Sequence, residues 1–244
     1  MRRRAETTPP AVVGRENLNM ESSCRSVVNY VSARSRAARA DLFRESFRLT
    51  PETRILDLGS EWGLYIADVL KGTPVVSRNV HAADIFEDSL EQAEKEYGFT
   101  PVLLQESERL PFPDGHFDIV FCNSVIEHVT LPKERLFEVT SEKIFRQQSL
   151  VRQHEFAAEI RRVGKCYFVQ TPSRWFPLEP HTRLPFMGWM PRQVLITLIK
   201  TARLNWSPDW SLLTVAEMRG LFPDADIVTE KLLGIVKSIV AIKK

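Results

Sequence analysis

Cysteine is scarce in this sequence: three occur in 244 residues, Cys24, Cys122 and Cys166, far apart in the chain. No Cys-x-x-Cys pair exists, and no cluster of ligands has metal spacing. A disulfide scaffold and a structural zinc site are therefore excluded, and reduced thiols in a cytoplasmic protein are expected. No apolar run approaches the ~20 residues that a membrane-spanning helix needs. The opening Met-Arg-Arg-Arg has no apolar stretch behind it, so no secretory signal is expected. Glycine is also sparse, at ten residues. The Gly-x-Gly-x-x-Gly spacing of a nicotinamide dehydrogenase is absent, because Glu61 and Leu64 occupy its second and third glycine positions. Net charge is only +2, although residues 1–50 hold ten arginines against five acids. No aromatic residues interleave with those arginines to stack on bases. The segment reads as a solvated tail and helix face, and nucleic acid is not an expected partner.

What is present is ordinary for a globular domain: 43% hydrophobic and 26% charged residues, enough for a core without a staple. The stretch Ile55 to Leu64, Ile-Leu-Asp-Leu-Gly-Ser-Glu-Trp-Gly-Leu, reads as a buried strand, a tight loop and the start of a helix. Asp57 lies at the carboxyl end of that strand, where open α/β sheets bind ligands. Gly59 and Gly63 let the backbone approach a ligand closely. The helix from Leu64 would aim its first N–H groups over the loop. A second strand, Asn79 to Ile85, ends with Asp84, at the ~20–25-residue distance from the glycine loop typical of ribose-binding acids. The competing reading of Asp84 is a strand-end or capping acid. Third and fourth strands are expected at Pro101 to Gln105 and Phe117 to Asn123. A fifth is expected at Lys165 to Gln170, after a helical span over 131–163. A helix at Leu213 to Phe222 and a hairpin of Ala225 to Leu233 with Ser238 to Lys243 close the chain.

The first of these stretches resembles motif Asp/Glu-x-Gly-x-Gly-x-Gly of the class I S-adenosylmethionine-dependent methyltransferases, with Glu61 at the middle glycine. Glu106 to Asp118, containing Leu-Pro-Phe-Pro-Asp, resembles that family's Asp-Ala-Glu-x-Leu-Pro-Phe-Pro-Asp-x-x-Phe-Asp segment. Asn123 to Val129 is similar to its segment after the fourth strand. The resemblance covers residues 50–244 and is to the type 11-like branch. It implies an α/β fold: a Rossmann-like, seven-stranded, mostly parallel sheet flanked by helices, with an antiparallel last strand and an added N-terminal helical segment. It also implies S-adenosyl-L-methionine as cofactor. The cofactor residues would be Asp57, Gly59, Ser60, Glu61, Trp62, Gly63, Asp84, Ile85, Glu106, Ser107 and Asn123, with no metal. Phe86 or Ile85 would pack on the adenine.

The expected organisation is a disordered tail over 1–20, a helical segment over 21–50 and the catalytic domain over 51–244. Residues 171–212, rich in proline and tryptophan, are expected to insert on the acceptor side as a lid. His128 is a candidate general base, because imidazole titrates near neutrality; the competing reading is a helix-start histidine that packs or caps. His181, between Glu179 and Arg183, either orients an acceptor or fixes the lid. Trp175 and Trp189 would line the pocket or merely pack its wall. The implied activity is methyl transfer to a small-molecule or glycan acceptor, at oxygen. The alternative is a non-catalytic relative that holds the cofactor or a partner protein.

Overall fold

In the computed structural model, residues 20–105, 109–179, 182 and 184–244 are described, with side chains described from residue 32. The expectations for the tail at 1–19, for Glu106 and Ser107, and for His181 lie outside those residues. The chain forms two compact units, Met1–Arg39 and Ala40–Lys244, and the second holds the whole sheet.

Among the described residues there are seven strands and six α-helices. The strands are β1 (Ile55–Leu58), β2 (Val80–Asp84), β3 (Thr100–Leu103), β4 (Phe117–Asn123), β5 (Gly164–Pro172), β6 (Asp226–Leu232) and β7 (Ile235–Lys243). The helices are α1 (Met20–Ser46), α2 (Leu64–Leu70), α3 (Glu87–Tyr97), α4 (Glu142–Val163), α5 (Arg192–Thr201) and α6 (Val215–Leu221). The sheet order is β3-β2-β1-β4-β5-β7-β6. Strands β1 to β5 pair in parallel, and β7 runs antiparallel to both β5 and β6. The expected Rossmann-like class is the observed one.

Why the central strands read as unbroken apolar runs is plain from their burial. Side chains alternate between faces along a strand, and helices cover both faces here. Val120 and Cys122 pack with Ile160, Tyr167 and Met218 under α4 and α6. Ile119 and Phe121 point the other way, to Phe43, Ile66, Leu90 and Phe168. Phe121 and Phe168 stack at 5.6 Å, and Phe43 meets both edge-on.

One expectation needs correction. The helix expected over 131–163 begins only at Glu142. Ser141 caps it, its hydroxyl accepting from the Ile144 N–H, and a Ser N-cap is a strong start signal. Residues 131–139 instead fold around a short 3-10 turn, Lys133–Arg135. Their apolar side chains Leu131, Leu136, Phe137 and Val139 form a small core with Phe145 of α4. Within the stretch 171–212, the run after Pro191, to which no element was assigned from the sequence, is helix α5, which buries Leu195, Ile196 and Ile199.

Candidate active site

The parallel strands deliver their carboxyl ends to one cleft of about 1120 Å³. Strand β1 contributes Asp57, which is buried. Its carboxylate accepts from the Ser60 hydroxyl at 2.5 Å. Burial drives the Asp57 pKa from its ordinary 3.8 up to about 7; the Ser60 bond opposes this, and the nearby Asp84 and Glu61 carboxylates add to it.

The turn after β1 is unusually constrained. Gly59 has φ +77°, and a Cβ there would fall 2.3 Å from a Val125 methyl carbon. Only glycine meets both demands. Gly63, at φ +73°, caps α2 and packs against Ala93 and the Phe99 ring. Glu61 also has positive φ, at 49°, a left-handed conformation that few non-glycine residues adopt. Its backbone N–H donates to Asp84 Oδ2 at 2.8 Å. This bond ties the β1 loop to the end of β2 and supplies the compensation.

Asp84 is itself buried. Its Oδ1 accepts from the Ile85 N–H at 2.7 Å and the Phe86 N–H at 3.3 Å. Each carboxylate oxygen has two lone pairs, so Oδ2, which among the described residues accepts from Glu61, keeps capacity for a ligand hydroxyl. Ile85 and Phe86 follow with exposed apolar faces on the cleft. Across the opening, the Lys133 ammonium lies 5.6 Å from the Phe86 ring centre. Asn123 and Ser124 line the floor at the end of β4, and the Ser124 hydroxyl donates to Gln170 at 2.9 Å.

His128 lies on the short helical turn Ile126–His128 and reaches the same cleft. Its Nδ1 is 3.5 Å from Asp209 Oδ1, and each side chain is about one third exposed. Burial lowers the His128 pKa, but the Asp209 bond and the charges of Glu127, Asp209 and Glu179 outweigh it, so the net direction is up. The pair is held by buried bonds. The Gln153 amide of α4 donates to the Ile126 and Ser211 carbonyls, both at 3.0 Å. The Ser211 N–H donates to the Glu127 carbonyl, and the Thr130 hydroxyl to the Asp209 carbonyl. Asp209 is thus placed by two segments that are distant from it in sequence, 126–130 and α4.

Of the expected residues, Asp57, Gly59, Ser60, Glu61, Asp84, Ile85, Asn123 and His128 line one cleft. Trp62 does not line it and is largely exposed. Gly63 stands behind the loop. Trp175 and Trp189 do not line the cleft either; from 171–212, Asp209 is the lining residue among those described. Sequence reasoning also missed the α4 wall of Arg152, Glu155 and Glu159, and had no local signal for Asp209. The Leu-Pro-Phe-Pro-Asp segment is bound to this wall. Arg162 donates to the Leu110 and Phe112 carbonyls and to Asp114, and Glu159 accepts from the Leu110 N–H.

A parallel sheet with an acid at the end of each of its first two strands, facing one cleft, defines a Rossmann-like cofactor-binding protein. Residues 56–143 match the family model described as a methyltransferase domain. With the sheet order above, this match is consistent with the class I S-adenosylmethionine-dependent methyltransferase fold. No curated protein matches it in sequence. Among solved structures it is similar to magnesium protoporphyrin IX methyltransferase from Synechocystis PCC 6803, determined with bound SAH. That pair has 12% identity, coverage of 95% of this chain and 90% of the other, and a TM-score of 0.51. It is also similar to the N-terminal domain of EvdMO1, determined in the presence of SAH and D-fucose. Here identity is 17%, coverage 86% and 82%, and the TM-score 0.50. At these identities the likeness is one of fold.

Proposed function

We propose that this chain transfers the methyl group of S-adenosylmethionine to a hydroxyl of a small-molecule or glycan acceptor. One observation carries the reading: the Asp57–Glu61–Asp84 carboxylates and the His128–Asp209 pair face the same cleft. The residues suit the cofactor. Asp84 retains acceptor capacity for ribose hydroxyls, Ile85 and Phe86 offer apolar faces for a base, and three carboxylates favour a ligand with positive charge. Asp57, Gly59, Ser60, Asp84, Ile85 and Asn123 would hold it. The cleft volume leaves room for an acceptor as well.

When bound, the cofactor supplies an activated methyl group on a sulfonium. The chain's own task is alignment and proton removal. With an N–H on Nδ1 directed at Asp209, His128 would take the acceptor proton at Nε2. Asp209 orients the ring and stabilises the imidazolium that results. The sugar that accompanies the EvdMO1 domain agrees with a glycan-type acceptor.

Titration calorimetry with S-adenosylmethionine, followed by mass spectrometry of hydroxyl acceptors incubated with isotopically labelled cofactor, tests the reading. Binding with a labelled ether product is expected. Binding without product across alcohols, phenols and sugars would favour a non-catalytic relative. No binding would overturn both.

A further inference from the structure

Asp209 belongs to a segment, 208–211, that is held through its backbone. On one side Thr130 bonds the Asp209 carbonyl, and Glu127 and Gln153 bond Ser211. The other side is held by a residue that does not line the cleft, Arg192 at the start of α5. Its Nη1 donates to the Pro208 carbonyl at 2.8 Å. That carbonyl belongs to the peptide group that leads directly into Asp209.

The same guanidinium makes two further bonds. Nη2 donates to the Leu136 carbonyl at 2.6 Å, and Nε donates to the Val139 carbonyl at 2.8 Å. The guanidinium carbon lies 3.4 Å from the Phe145 ring centre. Leu131, Pro132, Lys133 and Leu136 line the cleft, as Asp209 does. One side chain therefore joins two parts of the cleft wall, 131–139 and 208–209. Three carbonyls and one aromatic face call for a planar fork of N–H donors, which arginine has and lysine lacks.

The arrangement is costly. Arg192 is buried, and its hydrogen bonds among the described residues all go to carbonyls. Burial lowers its pKa from 12.5 to about 10, while the charges of Glu142 and Asp209 oppose the fall. The group stays cationic at neutral pH. A buried charge is a poor source of stability. What this one supplies is fixed geometry, at the segment that carries Asp209.

We propose that Arg192 is a positioning residue: by tying the Pro208 carbonyl to the 131–139 wall, it holds the Asp209 carboxylate against His128 Nδ1. The inference deepens the proposed function and rests on His128 as its base, but its first readout needs no turnover. The charges that face His128 are those of Glu127, Asp209 and Glu179. Those that face Arg192 are Glu142 and Asp209, and Arg146 and Arg174 line the same small cavity behind the wall. Removing a cation through space would favour the imidazolium and raise the His128 pKa. Releasing Asp209 would lower it. The two roles therefore predict opposite signs.

NMR titration of the His128 imidazole in the full chain, without cofactor, tests it. Arg192→Lys keeps the charge and loses the fork; Arg192→Gln loses both. In each the His128 midpoint should move to lower pH, the direction also expected of Asp209→Asn. Placed on top of Asp209→Asn, Arg192→Lys should move it no further, because the bond being positioned is already gone. With a methyl acceptor in hand, Arg192→Lys should lower kcat about tenfold and leave the KM for S-adenosylmethionine within about twofold. A midpoint that stays or rises in the folded variants would overturn the proposal. So would an equal shift with and without Asp209. Loss of a cooperative thermal transition in both Arg192 variants would make the residue a determinant of the fold and equally overturn it. The expected midpoints without any methylated product would support the positioning of Asp209 and overturn the proposed function alone.

Discussion

Asp57→Asn isolates the most heavily perturbed group in the cleft. Burial raises the Asp57 pKa from 3.8 to about 7. Between those values the unfolded chain has released a proton that the folded protein keeps. Stability therefore falls as pH rises through this window and stays lower above it. The whole shift corresponds to about 4 kcal/mol, at 1.36 kcal/mol for each pH unit. Asparagine preserves size and a hydrogen bond with Ser60 but cannot titrate. Urea denaturation of both proteins at about pH 5 and about pH 8 captures the upper part of the window, about 2–3 kcal/mol. The parent should lose that much more stability than the variant on going from the lower to the higher pH. Titrating groups that do not couple to Asp57 cancel in the comparison. Parallel losses in the two proteins would show that Asp57 does not change its ionisation across this range, and would refute the reasoning. A second readout follows on the proposed function: a cationic ligand favours the ionised carboxylate, so parental cofactor affinity should rise with pH through about 7 while that of the variant stays flatter.

Asp84→Ala should weaken S-adenosylmethionine binding by about 1.5–3 kcal/mol, the usual cost of losing hydrogen bonds to a charged group; calorimetry on the folded variant reads it, and unchanged affinity removes Asp84 from the site. Asp209→Asn removes the charge that raises the His128 pKa. The acidic limb of the kcat/KM profile should then move to lower pH and turnover should fall by about tenfold to a hundredfold, whereas a merely structural Asp209 would lower the rate without moving the limb. Glu61→Gly relieves a left-handed residue and should add up to about 1 kcal/mol of stability, while tightening cofactor binding by less than about tenfold. Thermal denaturation and calorimetry check the two effects, and loss of binding in this variant would make the Glu61 side chain a ligand.

The sheet was legible because each central strand carries its own complete signal. Phe117 to Asn123 reads as a strand end to end, since both of its faces are buried and every position but Asp118 and Asn123 is apolar. The acids at the ends of β1 and β2 were legible for the same reason: a carboxylate that closes an apolar run has few structural uses. The start of α4 was not. Leu131, Leu136 and Val139 are spaced so that a helix would also accommodate them, and only the Ser141 cap separates the turn from the helix. Helix α5 was hidden because Val194, Ile196, Thr197 and Ile199 are β-branched and weak helix formers, so that burial of one face, not propensity, makes it. Asp209 was invisible in principle. Its role arises from Gln153 and Thr130, on elements that meet only after folding. Trp175 and Trp189 were legible as special but not as outward-facing, because composition alone does not say to which side of a loop a ring turns.

Glu61 is the point at which local and electrostatic demands oppose one another. Glycine there would avoid the left-handed penalty of about 1 kcal/mol. Glutamate accepts it and adds a third carboxylate near Asp57 and Asp84, strong enough to be among the influences that push Asp57 up. On the proposed function, the donor enters with a sulfonium charge and leaves as a neutral thioether. A site with more negative charge therefore distinguishes the loaded from the spent cofactor by one positive charge. In a solvated loop one such charge pair at about 4 Å is worth about 1 kcal/mol, which is comparable with the backbone penalty. The backbone penalty is carried by the unliganded fold and belongs to stability; for cofactor entry the attraction to the sulfonium is opposed by repulsion from the cofactor's own carboxylate, and the two nearly cancel, which is why the glycine variant should bind only modestly better. They do not cancel for the product, which lacks the charge but meets the same loop. Glu61 thus weakens the hold on product relative to substrate, and the ratio of the two affinities should fall in Glu61→Gly even though both bind more tightly.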